Sequence, residues 1–253
     1  MNEAFIKQHV EQYKENTFMQ IQQHTLLKYT GYPVVDEDRL FFTLLPLFNG
    51  EEWNESIKVS TIAVSLIYTA LAAHELVRED NATSREQQLQ VLAGDYYSGR
   101  YYQLLAKENK IDLIKLLSSG VTAVTEKKSL FYDKQVYTLE QLVQSIQIIE
   151  SKPIEQFLEY YTFHEYVFMM KEALLLVSLK KELMAYEKNE HSFYLSKSNV
   201  LQSNINALQL EVEKMEQAFE QDIRSSELLK EPVKNAILER VNVYSLEKQL
   251  REG

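Results

Sequence analysis

Glycine and proline, the residues that most readily let a chain turn back on itself, occur only six and four times in 253 residues. A β-sheet protein of this length needs many tight turns, most of them built on those residue types. Leu, Glu, Lys, Gln and Ala, all good helix formers, are common throughout. The chain is therefore expected to be all-α, a succession of helices with few sharp connections. It is long enough to bury one sizeable core, and no internal repeat, low-complexity tract or composition break divides it. Residues 1–253 are accordingly expected to form a single helical domain.

The formal net charge is −10 and no long Lys/Arg run is present. Phosphate backbones are held by basic stripes, so a nucleic-acid partner is not expected. The absence of cysteine removes disulfides, thiolate metal sites and a cysteine nucleophile, and it fits a reducing compartment, with the cytoplasm as the expected location. The opening MNEAFIKQHVEQY mixes charged and apolar residues at helical spacing and lacks the continuous apolar run of a secretory signal. The apolar stretch from Tyr166 to Leu179 is broken by Lys171 and Glu172 and is too short to cross a bilayer. A buried helix is expected there, and no transmembrane segment.

A first helix is expected from about Glu3 to Tyr29, ended by Gly31 and Pro33, with Asp36 capping a short one after it. From about Asn54, residues Val59, Ile62, Ala63, Leu66, Ala70, Ala73 and Val77 recur at steps of three and four, which predicts a deeply packed helix. Ser84 with Gln87 and Thr138 with Gln141 have the spacing of capping boxes. Pro153 and Pro232 are expected near helix starts, where a missing amide donor is tolerated. Ile205, Leu208, Val212, Met215 and Phe219 form a narrow seam suited to packing along another helix of the same chain.

Routine enzyme signatures are absent. His74-Glu75 invites comparison with a zinc-protease helix, but the position four residues after His74 is Arg78. His9, His24, His164 and His191 have no ligand-like spacing, and no metal is expected on this chain. No Gly-rich phosphate loop, nucleophile elbow or dinucleotide fingerprint occurs. Glu75 and Glu79, with Asp80 beside them, could place two carboxylates on one helix face, a pattern that usually means solvated surface charge.

The combination around those acids is more specific. An apolar helix ends in His74, and a later helix carries Leu92-Ala93-Gly94-Asp95-Tyr96. This order resembles the trans-prenyl diphosphate synthases, in which the histidine precedes an aspartate-rich motif and an arginine pair. Aligned on His74, the motif's aspartate positions fall on Glu75, Leu76 and Glu79, while Arg78 and Arg85 stand alone. No Asp-Asp dipeptide exists anywhere, and nothing from Leu139 to Gly253 resembles the family's second aspartate-rich motif. Prenyl transfer expels diphosphate, which takes Mg²⁺ ions bridging two carboxylate clusters. A chain lacking both clusters is expected to be inactive alone.

The run Gln88-Leu89-Gln90-Val91-Leu92-Ala93-Gly94-Asp95-Tyr96-Tyr97-Ser98-Gly99 with Tyr101-Tyr102 is similar to component I of the two-component heptaprenyl diphosphate synthases of Gram-positive bacteria. Ile148-Ile149-Glu150-Ser151 and Ile237-Leu238-Glu239-Arg240 lend weaker support. The resemblance implies an isoprenoid-synthase-like helical bundle, degenerate and shortened, and a non-catalytic regulatory subunit. It also implies a catalytic, aspartate-rich component II that carries the Mg²⁺. The complex would handle farnesyl and isopentenyl diphosphate and make the polyprenyl chain of menaquinone. His74, Glu75 and Glu79 are then the degenerate motif, and no catalytic residue is assigned.

The helix expected from about Arg85 to Ala106 carries more large apolar groups than one core stripe can absorb. In the prenyl synthase fold the corresponding helix lies at the dimer interface. Leu89, Leu92, Asp95, Tyr96, Tyr97, Tyr101 and Tyr102 are therefore candidates for contact with component II and for control of product length. Gly94 and Gly99 would let a partner helix approach closely. With the end of the preceding helix, this face is expected near the distal end of the partner's elongation tunnel. A homodimer is conceivable for the isolated chain. The competing readings are an independent prenyltransferase with unconventional ligands (Glu75, Glu79, Asp80) and a helical adaptor unrelated to isoprenoids.

Overall fold

The computed structural model describes residues 2–77, 83–132, 137–190 and 192–249, with side-chain placement as far as residue 243. Among the described residues the chain is helical and contains no strand, as its composition requires. The helices are α1 (Glu3–Ile21), α2 (His24–Thr30), α3 (Glu37–Thr43), α4 (Leu45–Asn49), α5 (Glu55–Glu75), α6 (Arg85–Lys107) and α7 (Ile111–Ser129). They continue as α8 (Leu139–Tyr160), α9 (Val167–Glu187), α10 (Phe193–Lys197), α11 (Asn199–Ser203), α12 (Ile205–Ser225) and α13 (Glu231–Gln249). Two compact units result, Met1–Ser119 with Gln156–Thr162, and Gly120–Glu155 with Phe163–Gly253, so α7 and α8 each contribute residues to both.

Most helix starts are written in the sequence. Asp36 accepts from the Arg39 amide at 2.9 Å, Asn54 from Ile57 at 3.0 Å and Ser84 from Gln87 at 3.2 Å. Thr138 and Gln141 form a reciprocal capping box, each backbone amide donating to the other's side chain at 2.9 and 3.2 Å. Gly31 closes α2 with φ 74°, and Pro232 sits in the first turn of α13.

Two expectations require correction. The single helix from Glu3 to Tyr29 is broken after Ile21, because the Gln23 side chain accepts from the Leu26 amide at 2.7 Å and starts α2 afresh. Pro153 does not begin a helix; it lies inside α8, which Thr138 has already launched. Proline in a helix interior costs about 3 kcal/mol. Ile146 and Ile149 before it, and Ile154, Phe157 and Leu158 after it, are all buried. Each such side chain contributes about 1.5–3 kcal/mol on burial, which outweighs the local penalty.

In the first unit, Phe41, Phe42, Leu44, Leu45 and Phe48 are fully buried, with Phe41 edge-on to Phe42 at 5.0 Å. α5 is buried on nearly all sides rather than along one face, Thr61, Val64, Ile67 and Thr69 joining the expected stripe. Two of its buried hydroxyls are satisfied within the helix, Thr61 donating to Ile57 O and Thr69 to Ser65 O, each at 2.9 Å. By length and composition α5 could cross a membrane, but 67% of its most apolar window is buried inside the fold.

In the second unit the helix expected from the apolar Tyr166–Leu179 stretch is α9, buried from Ala173 to Lys180. Its neighbours include α12, whose seam of Leu208, Val212 and Phe219 is buried with Met215 half-buried, and α13. Lys180, also buried, donates to Glu216 of α12 and to Val241 O of α13. Glu182 accepts from the amides of Phe193 at 2.9 Å and Leu195 at 2.8 Å, fastening α10 to α9. Burial raises its carboxyl above the ordinary carboxylate range, against the pull of those amides. Glu182→Ala strands the two donors, an expected loss of about 1–3 kcal/mol. The change should appear as a lower urea midpoint at unchanged slope.

Candidate functional site

The residues singled out in the sequence lie where α5 ends against α6, the most extensive helix pair of the first unit. An α-helix ends with four carbonyls lacking intrahelical donors. Among these, Ala73 O takes a tightened-turn bond from the Leu76 amide at 3.3 Å and also accepts from Gln90 Nε2 at 3.0 Å, a buried bond that fixes α6 to the end of α5. The next residue, His74, lays its ring over Gly94. A Cβ built on Gly94 would stand 2.5 Å from the imidazole, so the glycine makes room for a side chain of its own molecule. His74 Nε2 also lies 3.7 Å from Asp95 Oδ1, an ion pair when the ring is protonated.

The donor set does not fit a cluster of divalent cations. Glu75 is the last residue of α5, and the next ligand position is Leu76, a hydrocarbon side chain 53% exposed. Glu79, with Arg78 and Asp80, lies outside the described residues. Asp95 faces His74 rather than a second acid, and among the described residues no three His, Asp or Glu side chains are placed to share a metal ion. Mg²⁺ takes about six oxygen ligands in near-octahedral geometry, and the described residues bring no such set together here. Arg85 has turned to the Tyr29 ring, 4.6 Å from its centroid.

α6 divides sharply into two faces. Gln90, Ala93, Gly94, Tyr97, Tyr101 and Leu105 are buried. Tyr97 and Tyr101 are 2% and 3% exposed, and desolvation pushes both phenols above the usual tyrosine range. Gly94, Tyr97 and Tyr101 are thereby corrected as candidate partner contacts, because they face the core of their own unit. Sequence reasoning counted rings without knowing the helix phase. Leu89 and Tyr96 are half-exposed, and Leu92, Asp95, Gly99 and Tyr102 are exposed. Tyr102 stacks on Tyr101 with centroids 4.2 Å apart, and its hydroxyl donates to Ser118 at 3.2 Å.

The outward face has a regular composition. Leu92, Gly99 and Ala106 recur every seven residues and all are exposed, and Asp95 is the one charged residue among the exposed positions from 88 to 106. A Cβ placed on Gly99 would meet nothing within 4 Å. Sequence reading missed Ala106, whose membership follows from the heptad step. It also missed Arg100, which anchors α6 to α1 by donating to the Gln20 carbonyl and side chain, both at 2.8 Å.

In Gly94→Ala the new methyl group must displace the His74 ring, which is half-exposed and free to swing outward. Alanine favours a helix over glycine by about 1 kcal/mol. Stability should therefore change by less than about 1 kcal/mol, while the His74 ring resonances shift as the ring leaves its place over residue 94.

Residues 23–227 match the family described as heptaprenyl diphosphate synthase (HEPPP synthase) subunit 1. Heptaprenyl diphosphate synthase component 1 of Geobacillus stearothermophilus is 41% identical over 90 residues, which cover 36% of this chain and 41% of that protein. The match thus spans less than half the length of that relative. Among solved structures, decaprenyl diphosphate synthase from Rhodobacter capsulatus superposes with a TM-score of 0.71 at 10% identity, covering 96% of this chain and 98% of its own. Geranylgeranyl pyrophosphate synthase from Lactobacillus brevis gives 0.69 at 10% identity, covering 95% and 96%. At such identities these structures establish the fold, that of the prenyl diphosphate synthases, and the family match goes further: this chain belongs to the heptaprenyl diphosphate synthase subunit 1 family.

Proposed function

We propose that this chain is the non-catalytic, regulatory half of a heterodimeric long-chain prenyl diphosphate synthase. Its partner is an aspartate-rich component II that holds the Mg²⁺ and performs the chemistry on farnesyl and isopentenyl diphosphates. The observation that carries the reading is the pairing of a donor-poor α5 end with an outward α6 face that is apolar and small at heptad spacing. Catalysis of diphosphate departure rests on charge stabilisation by metal-bound carboxylates, and Leu76 puts a hydrocarbon at one of those positions. Interface cores are depleted in charge, and small residues let helices come close, as Leu92, Gly99 and Ala106 would.

Partnership fixes the rest of the role. A partner helix along Leu92, Gly99 and Ala106 would be flanked by Leu89, Tyr96 and Tyr102, and the two tyrosine rings are well placed to limit the space for a growing chain. We assign the product to the side chain of menaquinone and the complex to the cytoplasm, and we regard the whole chain as one functional domain. The decisive experiment is reconstitution with farnesyl diphosphate, isopentenyl diphosphate and Mg²⁺. Long-chain product is expected only from the mixture with component II, with its length following the identity of this subunit. Product from this chain alone would overturn the assignment.

A point substitution isolates the surface. Gly99→Leu enters open space, so the isolated chain should keep its stability or gain up to about 1 kcal/mol from helix propensity. The same side chain would block close helix approach. Synthase activity of the mixture should fall at least about tenfold, equivalent to about 1.4 kcal/mol of binding. Full activity with Gly99→Leu would show that this face is not the contact.

A further inference from the structure

A cleft of about 290 Å³ opens among α1, α4 and the start of α5, within the first unit and away from the α5–α6 junction. That volume lies just below the usual range for ligand pockets, about 300–1,000 Å³. Leu47, Trp53, Val59 and Ile62 supply its apolar lining.

One polar group is built into that wall. Tyr13 is 4% exposed, and its phenol oxygen accepts from Trp53 Nε1 at 2.8 Å. The hydroxyl proton is left to donate, and it makes no hydrogen bond to a described residue. Burial pushes the phenol up to about 12, so it stays a donor throughout the physiological range. On the rim, His9 Nδ1 lies 2.8 Å from Phe5 O, which can only accept, so that nitrogen carries the ring proton and the neutral ring keeps Nε2 as acceptor. Gln12 and Asn16 add neutral amides.

The charge in the cleft is already matched. Lys58 pairs with Glu55 at 2.8 Å, so a diphosphate would meet a carboxylate beside the ammonium. A buried donor beside an indole, apolar walls and balanced charge select an uncharged apolar molecule bearing an acceptor oxygen.

We propose that this cleft is a binding site for a neutral apolar molecule of about ten carbons whose carbonyl or hydroxyl oxygen accepts from Tyr13. A quinone ring and a short prenyl alcohol share that chemistry. The site is independent of the assembly proposed above, because every residue it uses belongs to this chain.

Trp53 is the only tryptophan, so its fluorescence reports the cleft directly. The purified full chain is titrated with 2-methyl-1,4-naphthoquinone in one arm and geraniol in the other. Saturable change with one probe names the source, and with both it establishes the shared chemistry. Tyr13→Phe should weaken binding about 5–30-fold, the equivalent of about 1–2 kcal/mol for one hydrogen bond. Val59→Trp fills the cleft while keeping the Tyr13–Trp53 bond and should abolish binding, followed there by calorimetry since it adds a second indole. No saturable response to either probe up to millimolar concentration overturns the proposal, as does binding that survives both substitutions in folded protein.

Discussion

The junction of α5 and α6 is the contact on which the rest of the first unit depends. α5 is buried on almost every side along most of its length, and its exposed end is tied down by α6. Gln90 reaches across to Ala73 O, and His74 occupies the space that the missing side chain of Gly94 leaves open. Together these contacts set the rotation of α6 about its own axis. Once that rotation is set, Tyr97 and Tyr101 must face inward and Leu92, Gly99 and Ala106 must face outward.

The same geometry explains why a histidine and a glycine-aspartate pair accompany a motif so poor in metal ligands. In this chain His74, Gly94 and Asp95 act in packing: a ring over a glycine and an acid close to the ring nitrogen. Their arrangement holds two helices in register. At one of the carboxylate positions stands Leu76, an exposed leucine that offers no oxygen to a metal. Framework and chemistry are therefore separable at this site.

Much of the local structure was legible because its causes are local. Asp36, Asn54, Ser84 and the Thr138–Gln141 box start helices through bonds spanning three residues, and such spacing is visible in any sequence. The misreadings have causes that spacing does not reveal. Glutamine is a good helix former, so nothing marked Gln23 as the cap that divides α1 from α2. Pro153 is ordinarily a boundary, and only the burial of Ile149, Ile154 and Phe157 around it keeps α8 continuous. At the site, Gly94 was visible as a position of close approach, but whether a partner helix or the chain's own histidine approaches it depends on contacts twenty residues away in sequence.

The sequence by itself determined the helical class, through scarce turn residues and regular apolar spacing, and it determined which side chains can bind metal, since ligand chemistry belongs to residue type. It also carried the family resemblance in the residues from Gln88 to Tyr102. Only the tertiary structure decided which face of α6 is exposed and brought Tyr13 and Trp53 together across forty residues. The physical reason is that periodicity gives the relative angles of side chains around a helix, whereas the absolute rotation comes from what the helix packs against.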